Sequence, residues 1–471
     1  MRWKPSLHIP AMASFGVPTA RLAGSTPICE VCSRMPSPQS LANSPRTCVR
    51  TVYPYVMAAV VFASILAITF AWAPNYRWSE SMSDQPYGAD FLQEWVGGRL
   101  IIAGRAGDLY DGHAFREWQH DRDLVGFEWN PARFFPAVYP PLHYALFASL
   151  AWIPYRWAAL VWVSILWGLV FINAYGIAAI FRHEAKLSGW RPSTLRCSSS
   201  CAWILLILFP AVPIAVMFGQ KSLVWVAILC WTCRLLQLGK PATAGLVFAL
   251  ISLKPTLFFF LPCVMARYTN WRFVAGCAVG ATVMWGLALV LLPWSMWQGF
   301  LETVSASAQY GTQGGYRNDW SCSIWSIAKS MPDGWQPWVF FGVCIPMALF
   351  VLAGAMRGGG IASNPNKLFV TLAATMLVAP HAYHYDLCIL MVPLGWVAAR
   401  DLHLAASTYA ALSFAIALSP ALYPLMPVPW LAIVLWGCAA VWVLRSGVGA
   451  SVERCTEPEG SYRGSLQVAS R

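Results

Sequence analysis

Charge is what this chain has least of. Only 11% of its 471 residues are Asp, Glu, Lys or Arg, against 58% hydrophobic, whereas a soluble globular domain carries about 25% charged residues. A water-solvated fold is excluded on that ground, and lipid is the solvent of most of the chain. Acids are the scarcer sign, 20 against 32 Lys and Arg. The basic residues fall in short runs between apolar segments and form no continuous basic face, so the net charge of +12 reads as membrane orientation and implies no nucleic-acid partner. Histidine is rare as well, and the 8 residues show no three-ligand metal spacing. No metal and no cofactor is expected. Cys230 and Cys233 form a CxxC inside an apolar run, where they read as packing. Cys29, Cys32 and Cys48 lie in a polar leader without a His at finger spacing.

What the chain does have is long apolar runs. Crossing the hydrocarbon core takes a helix of about 20 apolar residues, because each backbone polar group must be satisfied within the segment. Val56 to Trp72, Trp157 to Ile180, Ala202 to Met217, Ser222 to Leu236, Val274 to Leu292 and Trp338 to Leu352 approach or meet that length. Leu368 to Val378, Leu387 to Ala398, Leu404 to Leu422 and Leu431 to Leu444 add to them, some short. The expected fold is an all-α, polytopic transmembrane bundle of about ten to twelve helices. Trp72, Trp78, Trp152, Trp157, Trp271, Trp294 and Trp297 flank apolar runs, as interfacial anchors do.

The first 50 residues are rich in Pro, Ser and Arg and contain a single acid, Glu30. They read as a disordered cytoplasmic leader, with an upstream mis-assigned start as the equal alternative. With the N-terminus inside, a membrane domain spans residues 51–446 and puts loops 75–139, 293–336 and 380–386 on the outer face of the plasma membrane. The tail, 447–471, is then cytoplasmic. Two segments leave the crossing pattern open. Leu142 to Ile153 is barely long enough to cross and reads as re-entrant, and the run between Lys240 and Arg267, broken at Lys254 and Pro255, reads as a bent hairpin.

Three polar clusters share the expected outer face. In the first loop, Asp90 opens an apolar-periodic stretch to Ile102 that fits an amphipathic helix lying on the membrane. Asp90 is there either a helix cap or a functional acid, and Glu94, Asp108 and Asp111 compete with it. Tyr139-Pro140-Pro141 marks a helix start at the loop's end. The outer end near Pro380 carries His381, Tyr383, His384, Tyr385 and Asp386, a density of hydrogen-bonding groups at a membrane boundary that suits a substrate path, interfacial anchoring or a two-His metal site. Lys254 is either a snorkelling residue or a cation for a buried phosphate, and Gln220 with Lys221 either supports the same site or makes a turn.

Taken in order, these clusters resemble glycosyltransferase family 87, the polyprenol-phosphate-mannose-dependent enzymes of the GT-C superfamily. The likeness runs from about Val56 to the end and rests on Asp90-Phe91 with Gly104 and Leu109-Tyr110, then Tyr139-Pro140-Pro141, Gly219-Gln220, Ala244-Gly245 with Lys254-Pro255, and Pro380-His381. The resemblance implies a GT-C fold and a polyprenyl-phosphate sugar donor, with mannose as the sugar. The acceptor would be a lipid or glycan hydroxyl at the outer leaflet. It further implies Asp90 as the base, Lys254 with His381 or His384 at the donor phosphate, and Tyr139, Gln220 and Tyr383 around the pocket. No sugar nucleotide is then needed, in keeping with the absence of a Gly-rich nucleotide loop. Two other readings stay open. A transporter or lipid flippase would show two related halves, and no internal repeat is visible here. A glycan polymerase or ligase using a lipid-diphosphate donor would carry a large late outer loop, and residues 293–336 include Arg317, Asn318 and Asp319.

Overall fold

In the computed structural model the chain is described at residues 88–131, 133–187, 189, 208–254, 257, 270–310, 320–356, 365–379, 382–422 and 425–456. The expected span Val56 to Trp72, the leader cysteines, Pro255, residues 317–319, Pro380 and His381 lie outside the described residues. Within the described residues the regular structure is helical, apart from one isolated antiparallel bridge between Ser321 and Tyr383. In chain order we name α1 (Ala89–Ile102), α2 (Gly112–His120), α3 (Pro141–Phe147), α4 (Tyr155–Leu187), α5 (Ala211–Met217), α6 (Ser222–Gln237), α7 (Pro241–Ala249), α8 (Trp271–Leu291) and α9 (Trp294–Tyr310). They are followed by α10 (Gln336–Met356), α11 (Pro365–Val378), α12 (His384–Val397), α13 (Leu402–Leu422) and α14 (Trp430–Thr456).

Four of these, α4, α8, α10 and α13, are long and apolar enough to cross a bilayer, and α6, α7, α11, α12 and α14 hold shorter apolar stretches. The chain is therefore an all-α polytopic membrane protein. Its surface agrees: α8 turns Val274, Val279, Val283, Leu287 and Leu291 outward, and Val290 is 82% exposed. In water such a face would be an aggregation site, whereas in lipid it loses nothing. What α8 buries is Phe273 with the small residues Gly276 and Ala288. A Cβ on Gly276 would come within 2.2 Å of the Ala242 carbonyl, and one on Gly245 within 2.1 Å of the Phe273 carbonyl. Backbone contact between α7 and α8 thus requires glycine on both helices, as in membrane helix pairs joined through small residues.

Two short elements match expectations closely. The prolines at 140 and 141 open α3, with Pro141 in its first turn, where a missing N–H costs nothing. The apolar run after α7 tightens into a 3-10 turn, Leu250–Leu253, and leaves helical geometry at Lys254. At seven residues, about 10 Å, α3 is too short to cross. The helix opened by Asp90 forms as expected but does not lie on a surface. Phe91, Leu92, Trp95, Val96 and Leu100 are buried on several faces of α1, together with Gln93 and Glu94. Aromatic packing explains this: Phe91 meets Phe147, Tyr155 and Trp162 at ring distances of 5.9, 6.0 and 5.7 Å. The surface helix of this loop is α2, which buries Phe115 and Gln119 and exposes Arg116 and Glu117. Cys230 and Cys233 are buried on α6 as free thiols, consistent with packing.

Candidate active site

The site is built where the turn between α5 and α6 docks on the first turn of α1. Backbone bonds join them, from Gly88 N–H to the Met217 carbonyl and from Asp90 N–H to the Phe218 carbonyl, both at 3.2 Å. Gly219 lies at the centre of the turn with φ +67°, and a Cβ there would come within 2.9 Å of Phe91 Cβ and 3.3 Å of Gly88 Cα. Only glycine combines that backbone angle with that approach. The Gly219 carbonyl then accepts from the Trp162 indole at 2.8 Å, which locks the turn from its far side.

Three consecutive side chains leave this turn, and each meets a different carboxylate. Gln220 donates its amide to Asp90. Lys221 forms an ion pair with Glu94, one helical turn further along α1. Ser222 donates to Asp386 Oδ1 at 3.0 Å, and the same carboxylate pairs with Lys254. Asp386 Oδ2 accepts from the Tyr383 N–H at 3.3 Å. Elements far apart in sequence, α1, the α5–α6 turn, the end of the α7 segment and the start of α12, thereby converge on one polar cluster.

Aromatic rings wall it in. Lys221 Nζ sits 3.9 Å from the centre of the Tyr139 ring, a cation–π contact in a desolvated place. Tyr139 stacks on His143 at 4.2 Å, and its carbonyl accepts from Tyr110 at 2.7 Å. His143 Nε2 lies 3.4 Å from Glu94 Oε1. The His384 ring is buried against Trp320 at 4.8 Å, and Trp320 in turn meets Phe218 at 5.5 Å. Tyr383 and Tyr385 face one another at 5.7 Å, with Tyr385 in electrostatic reach of Asp90 and Tyr139.

Charge is distributed unevenly among the acids. Burial pushes the Asp90 carboxyl up to about 7, opposed by the Gln220 hydrogen bond and assisted by the nearby Glu94 charge. Burial also acts to raise Glu94, but Lys221 and His143 outweigh it and hold that carboxyl below the ordinary range. His143 is pushed down to about 4, by burial first and by Lys221 second, and is therefore neutral near pH 7. Of the two acids on α1, Glu94 is thus held towards its ionised form by its cation, while Asp90 is raised towards neutrality.

Of the residues singled out from the sequence, Asp90, Gln220 and Lys254 enter this cluster directly, and Tyr139 forms its wall. Tyr383 contributes through its backbone and ring, and His384 packs behind Trp320. Asp90 does not cap its helix: the N-cap is Gly88, with no side-chain cap bond. Sequence reasoning missed the working partnership of Glu94 with Lys221, the contact of His143 with Glu94, and Ser222. A signal existed for the first, because Glu94 stands four residues after Asp90, a spacing that puts both on one helix face, and Lys221 directly follows Gln220 in the chain.

Comparison with curated proteins returns no match. The sequence profile of glycosyltransferase family 87 matches residues 137–380, more than half of the chain. The match takes in Tyr139, Gln220 and Lys254; Asp90 precedes it. With helices suited to a bilayer and this match, the chain belongs to glycosyltransferase family 87 and is a membrane glycosyltransferase.

Proposed function

We propose that the chain transfers mannose from a polyprenyl-phosphate donor to a lipid or glycan hydroxyl at the outer face of the plasma membrane, by a single inverting displacement with Asp90 as general base. The observation that carries this reading is the division of labour among the first-loop acids. Asp111 and Asp121 cap short helices. Asp108 pairs with Arg105. Glu94 is fully buried against Lys221. Asp90 keeps partial exposure and is held by a neutral amide. A base must be reachable and must titrate near the working pH, and Asp90 meets both conditions.

In this reading Asp90 removes the proton of the acceptor hydroxyl as its oxygen attacks the anomeric carbon. The bond from that carbon to the phosphate oxygen breaks, and polyprenyl phosphate leaves. Lys254 faces the leaving phosphate. Its ammonium has three N–H donors, of which Asp386 takes one, so it can hold an anion and its carboxylate partner together. His381 and His384 complete the phosphate side, while Tyr139, Gln220 and Tyr383 shape the sugar pocket. Cation and donor groups aimed at the developing phosphate charge lower the barrier most in a water-poor site.

The test is a donor panel. Purified protein in detergent is given labelled polyprenyl-phosphate mannose, other polyprenyl-phosphate sugars and sugar nucleotides, with membrane lipid extract as acceptor. Transfer from polyprenyl-phosphate mannose, with the product's anomeric configuration opposite to the donor's, is expected. Transfer from a sugar nucleotide, or with retained configuration, contradicts the proposal.

A further inference from the structure

Glu94 and Lys221 touch neither donor nor acceptor in the reading above, yet they form the most enclosed ion pair of the cluster, with Glu94 at 0% and Lys221 at 3% side-chain exposure. Burying a charge pair is costly, and one use of such a pair is to fix the register of what it joins. Glu94 sits one turn below Asp90 on α1. Lys221 is joined by a peptide bond to Gln220. The pair therefore ties together the two pieces of backbone whose relative placement decides whether the Gln220 amide reaches Asp90.

We propose that Glu94 and Lys221 are positioning residues for the transfer reaction: they clamp the α5–α6 turn onto α1, keep Gln220 on Asp90, and hold the electric field around Asp90 in balance. The proposal rests on the reading of Asp90 as the base and deepens it.

The geometry supports a clamp with little freedom. Glu94 Oε1 gathers Lys221, His143 Nε2 at 3.4 Å and Gln93 Nε2 at 3.3 Å. Its other oxygen is buried with no hydrogen-bond partner among the described residues, so Lys221 supplies most of the compensation for this charge. Lys221 is covered by the Tyr139 ring, which denies it to solvent. His143 is neutral near pH 7 and adds a hydrogen bond without a charge.

The groups facing Asp90 from the elements around it are Glu94 on its own helix, Lys221 on the turn, and Asp386 and Tyr385 at the start of α12, with Tyr139 beside α3 and Lys254 beyond. Asp386 has its own cation in Lys254. Glu94 and Lys221 act on Asp90 with opposite sign, and removing one or the other shifts its protonation in opposite directions. Loss of the Glu94 charge favours ionised Asp90, and loss of the Lys221 charge favours protonated Asp90. A pair that supported the fold without acting on Asp90 would leave its titration unchanged.

The experiment follows Asp90 itself as well as turnover. Infrared difference titration of full-length protein, wild type against Asp90→Asn, isolates the protonated Asp90 carboxyl band. kcat/KM with polyprenyl-phosphate mannose is measured across the same pH range. In the wild type the band should vanish with a midpoint near 7. In Glu94→Gln the midpoint should fall, and in Lys221→Met it should rise, each by about half a pH unit or more, with the acid limb of kcat/KM following. Midpoints that stay in place, or move in one direction in both variants, overturn the proposal. If the midpoints move as expected but Asp90→Asn turns over at the wild-type rate, the base reading falls and the clamp's claim on the reaction falls with it. Should a single variant fail to insert, the double variant Glu94→Gln/Lys221→Met replaces it. That variant, with both charges gone and Gln220 released from Asp90, should raise the midpoint and lose about tenfold in kcat through lost alignment, and a wild-type kcat there overturns the proposal.

Discussion

Asp90 and Glu94 are one turn apart on the same face of α1, and their neighbours give them different chemistry. Glu94 meets a cation and stays ionised, while Asp90 meets a neutral amide and is raised by burial to about 7. For a base this means that turnover should rise with pH through about 7, as the carboxyl loses its proton. Replacing Gln220 by Ala removes the hydrogen bond that favours ionised Asp90, so the acid limb of the kcat/KM profile should move to higher pH, and activity at pH 7 should fall. Stability moves the other way. A carboxyl raised from 3.8 to about 7 on folding favours the native state below its unfolded value, and that contribution is lost as the pH rises through 7. Asp90→Asn should therefore melt no lower than wild type in detergent at pH 8, and its advantage should shrink towards pH 4. A marked drop in melting temperature would mean that Asp90 is a structural residue.

At the scale of elements, the site depends on how tightly helices meet behind it. The α7–α8 contact is backbone on backbone at Gly245 and Gly276, and the segment after α7 ends at Lys254. Gly276→Leu should destabilise the protein by about 1–3 kcal/mol and raise the KM for donor, because it moves the segment that delivers Lys254. Thermal unfolding and donor titration of the same sample check both effects. Parts of this arrangement were legible beforehand. The prolines at 140 and 141 and the break at Lys254 are visible because proline geometry and a lysine inside an apolar run are local signals. The enclosure of α1 was not legible, because a stretch with apolar residues at helical spacing can lie on lipid or be wrapped by Tyr155 and Trp162. Only the chain's path decides between them.

For the whole molecule, composition was enough to establish a helical membrane protein, since 11% charge and repeated apolar runs leave no other solvent. The cluster is different. Gln220, Lys221 and Ser222 reach carboxylates 130, 127 and 164 residues away in sequence, and no local pattern reports such pairings. Asp90, Gln220, Tyr139 and Lys254 were picked out because they stand in motifs, whereas Glu94, read from sequence as a rival acid, and His143 take their roles from contact. Orientation is the remaining claim at this scale. The first loop is expected outside and the C-terminal tail inside. An epitope inserted at the exposed residues 121–123 should be detected by antibody on sealed right-side-out vesicles, and one at residue 471 only after permeabilisation. The opposite pattern would invert the membrane orientation and put Asp90 on the cytoplasmic face.

The most direct measurement is transfer of labelled mannose from polyprenyl-phosphate mannose to membrane lipid extract by purified wild type and by Asp90→Asn. The account predicts a labelled product with wild type, and a loss of at least about a hundredfold in Asp90→Asn, with the variant folded and inserted. Equal turnover by the two proteins would contradict it.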